Sequence, residues 1–212
     1  MEGVLVPRVA MSGAPVYLAL NAQRIAERVL RLGNVMAAVP WLAQGPLHDT
    51  TTATRIVFMG LRGMSEDRLV ELGRQYAETQ LVPRLRPGCV ELLREAARHG
   101  RRPVLLSDGI DVVVGPLADH LGVGDVLCNA LEMQDGLATG RLREPVVSAA
   151  LAVERVRQWA DRHGVELSAS AAYVARLDDQ LLAAAVGEPC VVCPDRALRR
   201  LARDLDWPVL EA

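Results

Sequence analysis

The chain has 212 residues, half of them hydrophobic, and a formal net charge of −2. That size suits one large domain or a core with a smaller insert, and the near-neutral charge argues against nucleic acid as a partner. No apolar run reaches the roughly 18 residues of a membrane span, and the first residues lack the regions of a signal peptide, so no membrane insertion and a cytoplasmic location are expected.

All 24 basic residues are arginine, so no step can use a lysine amine. Taken from the start, residues 3–6 (Gly-Val-Leu-Val) read as a strand, followed by Pro7, Arg8 and Val9. Residues 21–32 carry Ile25, Val29 and Leu32 at helical spacing and stop at Gly33. Residues 48–54 are polar, with His48 and Asp49 at their head. Ser65 with Glu66 and Asp67 marks a helix start, and the helix is expected to run through Tyr76 to about Gln80.

From Pro83 onward, short apolar runs alternate with helical ones, the mark of an α/β sheet. The expected strands are residues 102–106, 126–130, 171–174, 189–192 and 207–210, each apolar enough for a buried parallel sheet. The expected helices are residues 88–99, 112–121 and 149–163, each followed by a glycine stop at Gly100, Gly122 and Gly164. Asp135-Gly136 within residues 132–140 signals a hairpin. Cys190 and Cys193 form a C-x-x-C. On a strand, however, residues three apart face opposite ways, so reduced structural thiols are expected rather than a redox or zinc site.

Several of these segments together carry a resemblance. They are residues 63–73, Pro83-Arg-Leu-Arg-Pro-Gly88, Leu105-Leu-Ser-Asp-Gly109, residues 116–122, Asp135-Gly-Leu-Ala-Thr-Gly-Arg141, Val186-Gly-Glu-Pro189, residues 194–198 and the terminal residues 206–210. In this order the chain resembles the haloacid dehalogenase superfamily of phosphohydrolases, in its phosphoserine-phosphatase-like branch. The resemblance implies an α/β fold. A Rossmann-like core with a parallel sheet would comprise residues 1–12 and 83–212, and an inserted α-helical cap residues 13–82.

The resemblance also implies a chemistry. An aspartate attacks phosphorus, a second aspartate moves the proton, a hydroxyl and a basic residue hold the phosphoryl oxygens, and carboxylates hold magnesium. Aligned by the first strand, Pro7 and Val9 fall at the two acid positions. Ser107 falls at the hydroxyl position, where with Asp108, Gly109 and the amides opening the next helix it forms a candidate anion site. Ala152 falls at the basic position, with Arg141, Arg143 or Arg155 as nearby substitutes. In the last motif, Ala175 replaces the first acid and Asp179 keeps the second, with Asp178 beside it and Arg176 next to the expected metal position.

Four vacant positions on a retained scaffold lead to the expectation of a pseudoenzyme without phosphatase activity, acting as a binding or regulatory protein. Its ligand would be a protein partner or a small anion, or it would self-associate through its cap. No cofactor is expected, because the magnesium ligands are lost. The alternative is a phosphomonoester hydrolase with a rebuilt site that uses Asp108, Asp178, Asp179, or His48 and Asp49.

Overall fold

The computed structural model describes residues 1–21, 55 and 57–211. The helix expected over residues 21–32 and the polar stretch at residues 48–54 therefore lie outside the described residues, apart from Asn21.

The first residues depart from expectation. Residues 3–6 make a tight turn rather than a strand. The Gly3 N–H donates to the Val6 carbonyl at 2.7 Å, and the Leu5 N–H to the Met1 carbonyl at 3.0 Å. Gly3 has φ +81°, a left-handed conformation that an L side chain rarely adopts. The apolar run is still buried: Val4, Leu5 and Val6 are nearly inaccessible. Burial was legible in the sequence; the glycine's turn was not.

Two short helices follow, α1 (Arg8–Ser12) and α2 (Ala14–Leu20), the latter with Pro15 in its first turn. Helix α3 (Glu66–Tyr76) starts at Ser65, with Glu66 and Asp67 in its first turn as expected, although the Ser65 hydroxyl makes no capping bond. The helix continues as a π-turn over Ala77–Leu81. The Tyr76 hydroxyl donates to the Ala10 carbonyl at 2.5 Å and ties α3 to α1.

The α/β rhythm then sets in. Helix α4 (Pro87–Arg98) leads to strand β1 (Val104–Ile110), helix α5 (Asp111–Leu121) and strand β2 (Asp125–Asn129). Strands β3 (Leu131–Gln134) and β4 (Leu137–Leu142) form the hairpin, with Asp135 and Gly136 at φ 51° and 74° in the turn. Helix α6 (Ala152–His163), strand β5 (Ala171–Val174), the short helix α7 (Gln180–Ala184), strand β6 (Glu188–Val192), helix α8 (Arg196–Asp204) and strand β7 (Val209–Leu210) complete the chain. Gly122 and Gly164 close their helices in the left-handed conformation.

The architecture is α/β with parallel strands, as expected. Among the described residues, β1 pairs with β2 and β5-β6-β7 form a second parallel set, while β3 and β4 pair antiparallel. A cavity of about 740 Å³ lies between the two parallel sets, lined by Leu105 to Asp108 on one side and Ala171 to Val174 on the other. The four cysteines are free, and Cys193 lies past the end of β6 with φ 43°.

The largest buried cluster joins α1, α2 and α3 to α5 through Leu18, Leu69, Leu72, Val113 and Leu117. Gly73 makes this approach work. A Cβ there would lie 2.1 Å from the Val112 carbonyl oxygen. Gly73→Ala would gain about 1 kcal/mol in helix propensity, but the backbone clash belongs to the class of overpacking that costs about 1–3 kcal/mol or more. A net fall in Tm of several degrees is expected, at roughly 2–4 °C per kcal/mol for a chain of this size. Thermal unfolding by circular dichroism checks it, and an unchanged or raised Tm would contradict the packing.

Candidate functional site

The chemistry-bearing side chains gather where β1 ends. Strand β1 does not stop at Leu106; it continues through Ser107, Asp108 and Gly109, because Ile110 still pairs with Asn129 of β2. Ser107 therefore stands on a strand, four residues before α5.

Ser107 is buried, and its hydroxyl donates to the carboxylate of Glu2. The Gly109 N–H donates to Ser107 Oγ at 3.0 Å. Gly109 leaves no room for a side chain: a Cβ would come within 2.7 Å of Met11 Cε and 3.1 Å of Ser107 Oγ. Asn129 braces the strand end. Its Nδ2 donates to the carbonyls of Asp108 and Val147, both at 2.8 Å, and its Oδ1 accepts from the Val147 N–H at 2.7 Å.

Glu2 is the residue that the sequence reading missed. It is only 6 % exposed, and the turn at Gly3 brings it to Ser107. Pro7 and Val9 do not reach the site. Pro7 precedes α1 as its N-cap, and Val9 is 81 % exposed on that helix. The alignment placed them by assuming a strand over residues 3–6, and the turn removes that premise. The available signal was Glu2-Gly3 itself, an acid beside a glycine just ahead of a buried apolar run.

Opposite β1, the loop after β5 supplies Ala175, Arg176 and Asp179. Ala175 is buried, and its Cβ lies 2.7 Å from where a Cβ on Gly3 would be. The N-terminal turn is packed directly onto it. Arg176 reaches across 68 residues of sequence. Its Nη1 donates to Asp108 Oδ2 at 2.7 Å, and its Nε and Nη2 donate to the two oxygens of Asp179 at 2.9 and 2.8 Å. Burial works against the charge, but the hydrogen bonds and charge of Asp179, and then those of Asp108, outweigh it and hold the guanidinium above its ordinary pKa. Asp179 is buried in the turn Leu177–Asp179, whereas Asp178 is exposed.

The other candidate cations are elsewhere. Ala152 is buried at the start of α6 and carries no charge. Arg141 and Arg143 are exposed. Arg155 bonds to Gln158 along its own helix at 3.4 Å. His48 and Asp49 lie outside the described residues.

The resemblance implies magnesium, and the residues present do not fit it. Among the described residues no group of three or more acidic, histidine or cysteine side chains could hold a metal ion. The two carboxylates facing each other across the cavity, Asp108 and Asp179, are bridged by Arg176 instead.

Cys128 on β2 lies in the field of this site. Burial pushes its thiol up to about 12, and the charges of Asp111 and Glu2 add to the effect. At pH 8 such a thiol is about one part in 10⁴ thiolate, the reactive form. Iodoacetamide is expected to leave Cys128 unlabelled in the native protein and to label it after denaturation, which peptide mass spectrometry checks. Rapid native labelling would contradict this burial.

Comparison with known proteins adds three findings. A family model described as HAD, haloacid dehalogenase-like hydrolase, matches residues 8–175. Among curated proteins, the chain is 30% identical over 182 residues to the "Inhibition of morphological differentiation protein" of Streptomyces azureus, covering 85% of this chain and 65% of that one. It is 26% identical over 162 residues to the phosphoserine phosphatase SerB1 of Mycobacterium tuberculosis, covering 76% of this chain and 53% of that one. The chain thus spans about half to two thirds of the length of these relatives. Among solved structures, a Bordetella pertussis Tohama I protein of unknown function superposes with a TM-score of 0.84 at 24% identity, covering all of this chain and 95% of that one. The expectation of a pseudoenzyme is corrected by these similarities. Several curated relatives at 25–30% identity are named phosphatases, including SerB1 and a histidinol-phosphatase, so the hydrolase alternative fits better. No helix among the described residues is long and apolar enough to cross a membrane.

Proposed function

Because the chain belongs to the haloacid dehalogenase-like hydrolase family, we propose that it is a phosphomonoester hydrolase with a rebuilt active site. One observation carries this reading: Glu2, Ser107, Asp108 and Arg176 all line the same cavity between the two parallel strand sets. Hydrolysis of a phosphate monoester needs a carboxylate to attack or to activate water, and a group that moves the proton to the leaving alcohol. Glu2 and Asp108 are the carboxylates assigned to these tasks. Glu2 takes the proton-transfer role, since it already shares a hydrogen with the Ser107 hydroxyl. Asp108 is one third exposed to the cavity, which leaves it open to an incoming phosphoryl group. The guanidinium of Arg176 is the donor assigned to the phosphoryl oxygens, because the single hydrogen of the Ser107 hydroxyl already goes to Glu2.

Four free thiols suit a reducing compartment, and we place the reaction in the cytoplasm on that ground. The test is phosphate release from p-nitrophenyl phosphate by the purified chain. Turnover above the buffer rate that is lost in Asp108→Asn is the expected result. Turnover absent from the wild type would overturn the reading.

A further inference from the structure

We propose that Arg176 is the resident cation of this site and stands in for the magnesium ion of the family's chemistry, so that phosphoryl groups are bound and turned over here without a divalent metal. The inference deepens the hydrolase reading above and rests on it for the turnover step.

The geometry leaves little alternative for the carboxylates. A magnesium ion requires oxygen ligands at 2.0–2.1 Å in near-octahedral array and is commonly held by one or two carboxylates together with substrate oxygens. Asp179 accepts two bonds from one guanidinium, at 2.9 and 2.8 Å, and Asp108 accepts a third at 2.7 Å. A metal entering between them must first expel Arg176, whose side chain is only 14 % exposed. Expulsion would break three charge-assisted bonds, one pair of them bidentate. Position 175 cannot supply a replacement ligand. It is alanine, and it is packed so closely on Gly3 that a Cβ on that glycine would lie 2.7 Å away.

The guanidinium retains capacity for an anion. Arginine has five N–H donors, and three are used by Asp108 and Asp179. Two are not used by these carboxylates, and Arg176 lines the cavity. Arginine cannot lose its charge at any accessible pH, so the cation is present in every state of the site. One positive charge in place of two predicts weaker phosphate binding than a metal would give. The same reasoning predicts a gain: emptying position 176 leaves Asp108 and Asp179 facing each other without a cation, and that pair should then attract one.

The experiment is a thermal-shift titration of the full chain with inorganic phosphate, in EDTA and in Mg²⁺, beside the p-nitrophenyl phosphate assay under both conditions. Wild type is expected to gain Tm from millimolar phosphate in EDTA, to show no response to Mg²⁺ alone, and to hydrolyse at equal rates in both buffers. Arg176→Ala is expected to lose the phosphate response and to gain a Mg²⁺ response. If that variant does not fold, Arg176→Lys, which keeps the charge but not the fork, is expected to weaken the phosphate response without creating one to Mg²⁺. A Mg²⁺-induced rise in wild-type Tm, or hydrolysis that stops in EDTA, would overturn the inference while leaving the hydrolase reading intact. Phosphate binding in EDTA without any hydrolysis would overturn the hydrolase reading, and with it the turnover step, while leaving Arg176 as the phosphate-binding cation.

Discussion

Glu2→Gln is expected to lower kcat/KM for p-nitrophenyl phosphate by about 10²–10⁴-fold, the usual worth of a positioned proton-transfer group. The substitution is close to isosteric, so the fold should survive it. A glutamine carbonyl can still accept from the Ser107 hydroxyl, the bond that Glu2 makes now. What is lost is the ability to exchange a proton. The loss should therefore fall on kcat with KM little changed, as for a group that acts mainly in the transition state. Glu2→Ala is the harsher control. It removes the partner of a buried hydroxyl and is expected to cost stability as well as rate, because an unsatisfied buried polar group costs about 1–3 kcal/mol.

Arg176→Met is expected to destabilise the protein by about 3–5 kcal/mol, the cost of stranding a buried charge by removing its partner. The charge left behind is that of Asp179, which is only 8 % exposed. Asp108, one third exposed, can turn to water and should contribute less. At roughly 2–4 °C per kcal/mol for a chain of this size, Tm should fall by about 6–20 °C. The double variant Arg176→Met with Asp179→Leu is expected to recover much of the loss, since replacing both members of a buried pair by apolar groups is often near neutral. Denaturant unfolding of the four proteins of this cycle measures the coupling. Additive losses would show that the pair does not interact as its geometry indicates.

The sequence carried much of the fold and only part of the site. Strands β1, β2, β5 and β6 were legible because each is a short apolar run between glycine-stopped helices. Ser107 and Asp179 were legible because each lies at a fixed distance from such an apolar run. Glu2 was hidden by the apolar residues after it. Val4, Leu5 and Val6 look alike whether buried by a strand or by a turn, and only the left-handed φ of Gly3 decides between them. Arg176 could be placed beside the expected metal position, but its choice of partners could not. A side chain that long can reach solvent or either carboxylate, and the bond to Asp108 joins segments 68 residues apart. The choice between Asp178 and Asp179 also awaited the structure, because the direction of the turn Leu177–Asp179 buries one and exposes the other.

In the proposed reaction this cavity hydrolyses phosphate monoesters with the groups it contains. The most direct measurement is the initial rate of phosphate release from p-nitrophenyl phosphate by the wild type and by Glu2→Gln, each shown to be folded by its Tm. Release by the wild type and its loss in Glu2→Gln is the predicted result. Equal release by both proteins, or none by either, would contradict it.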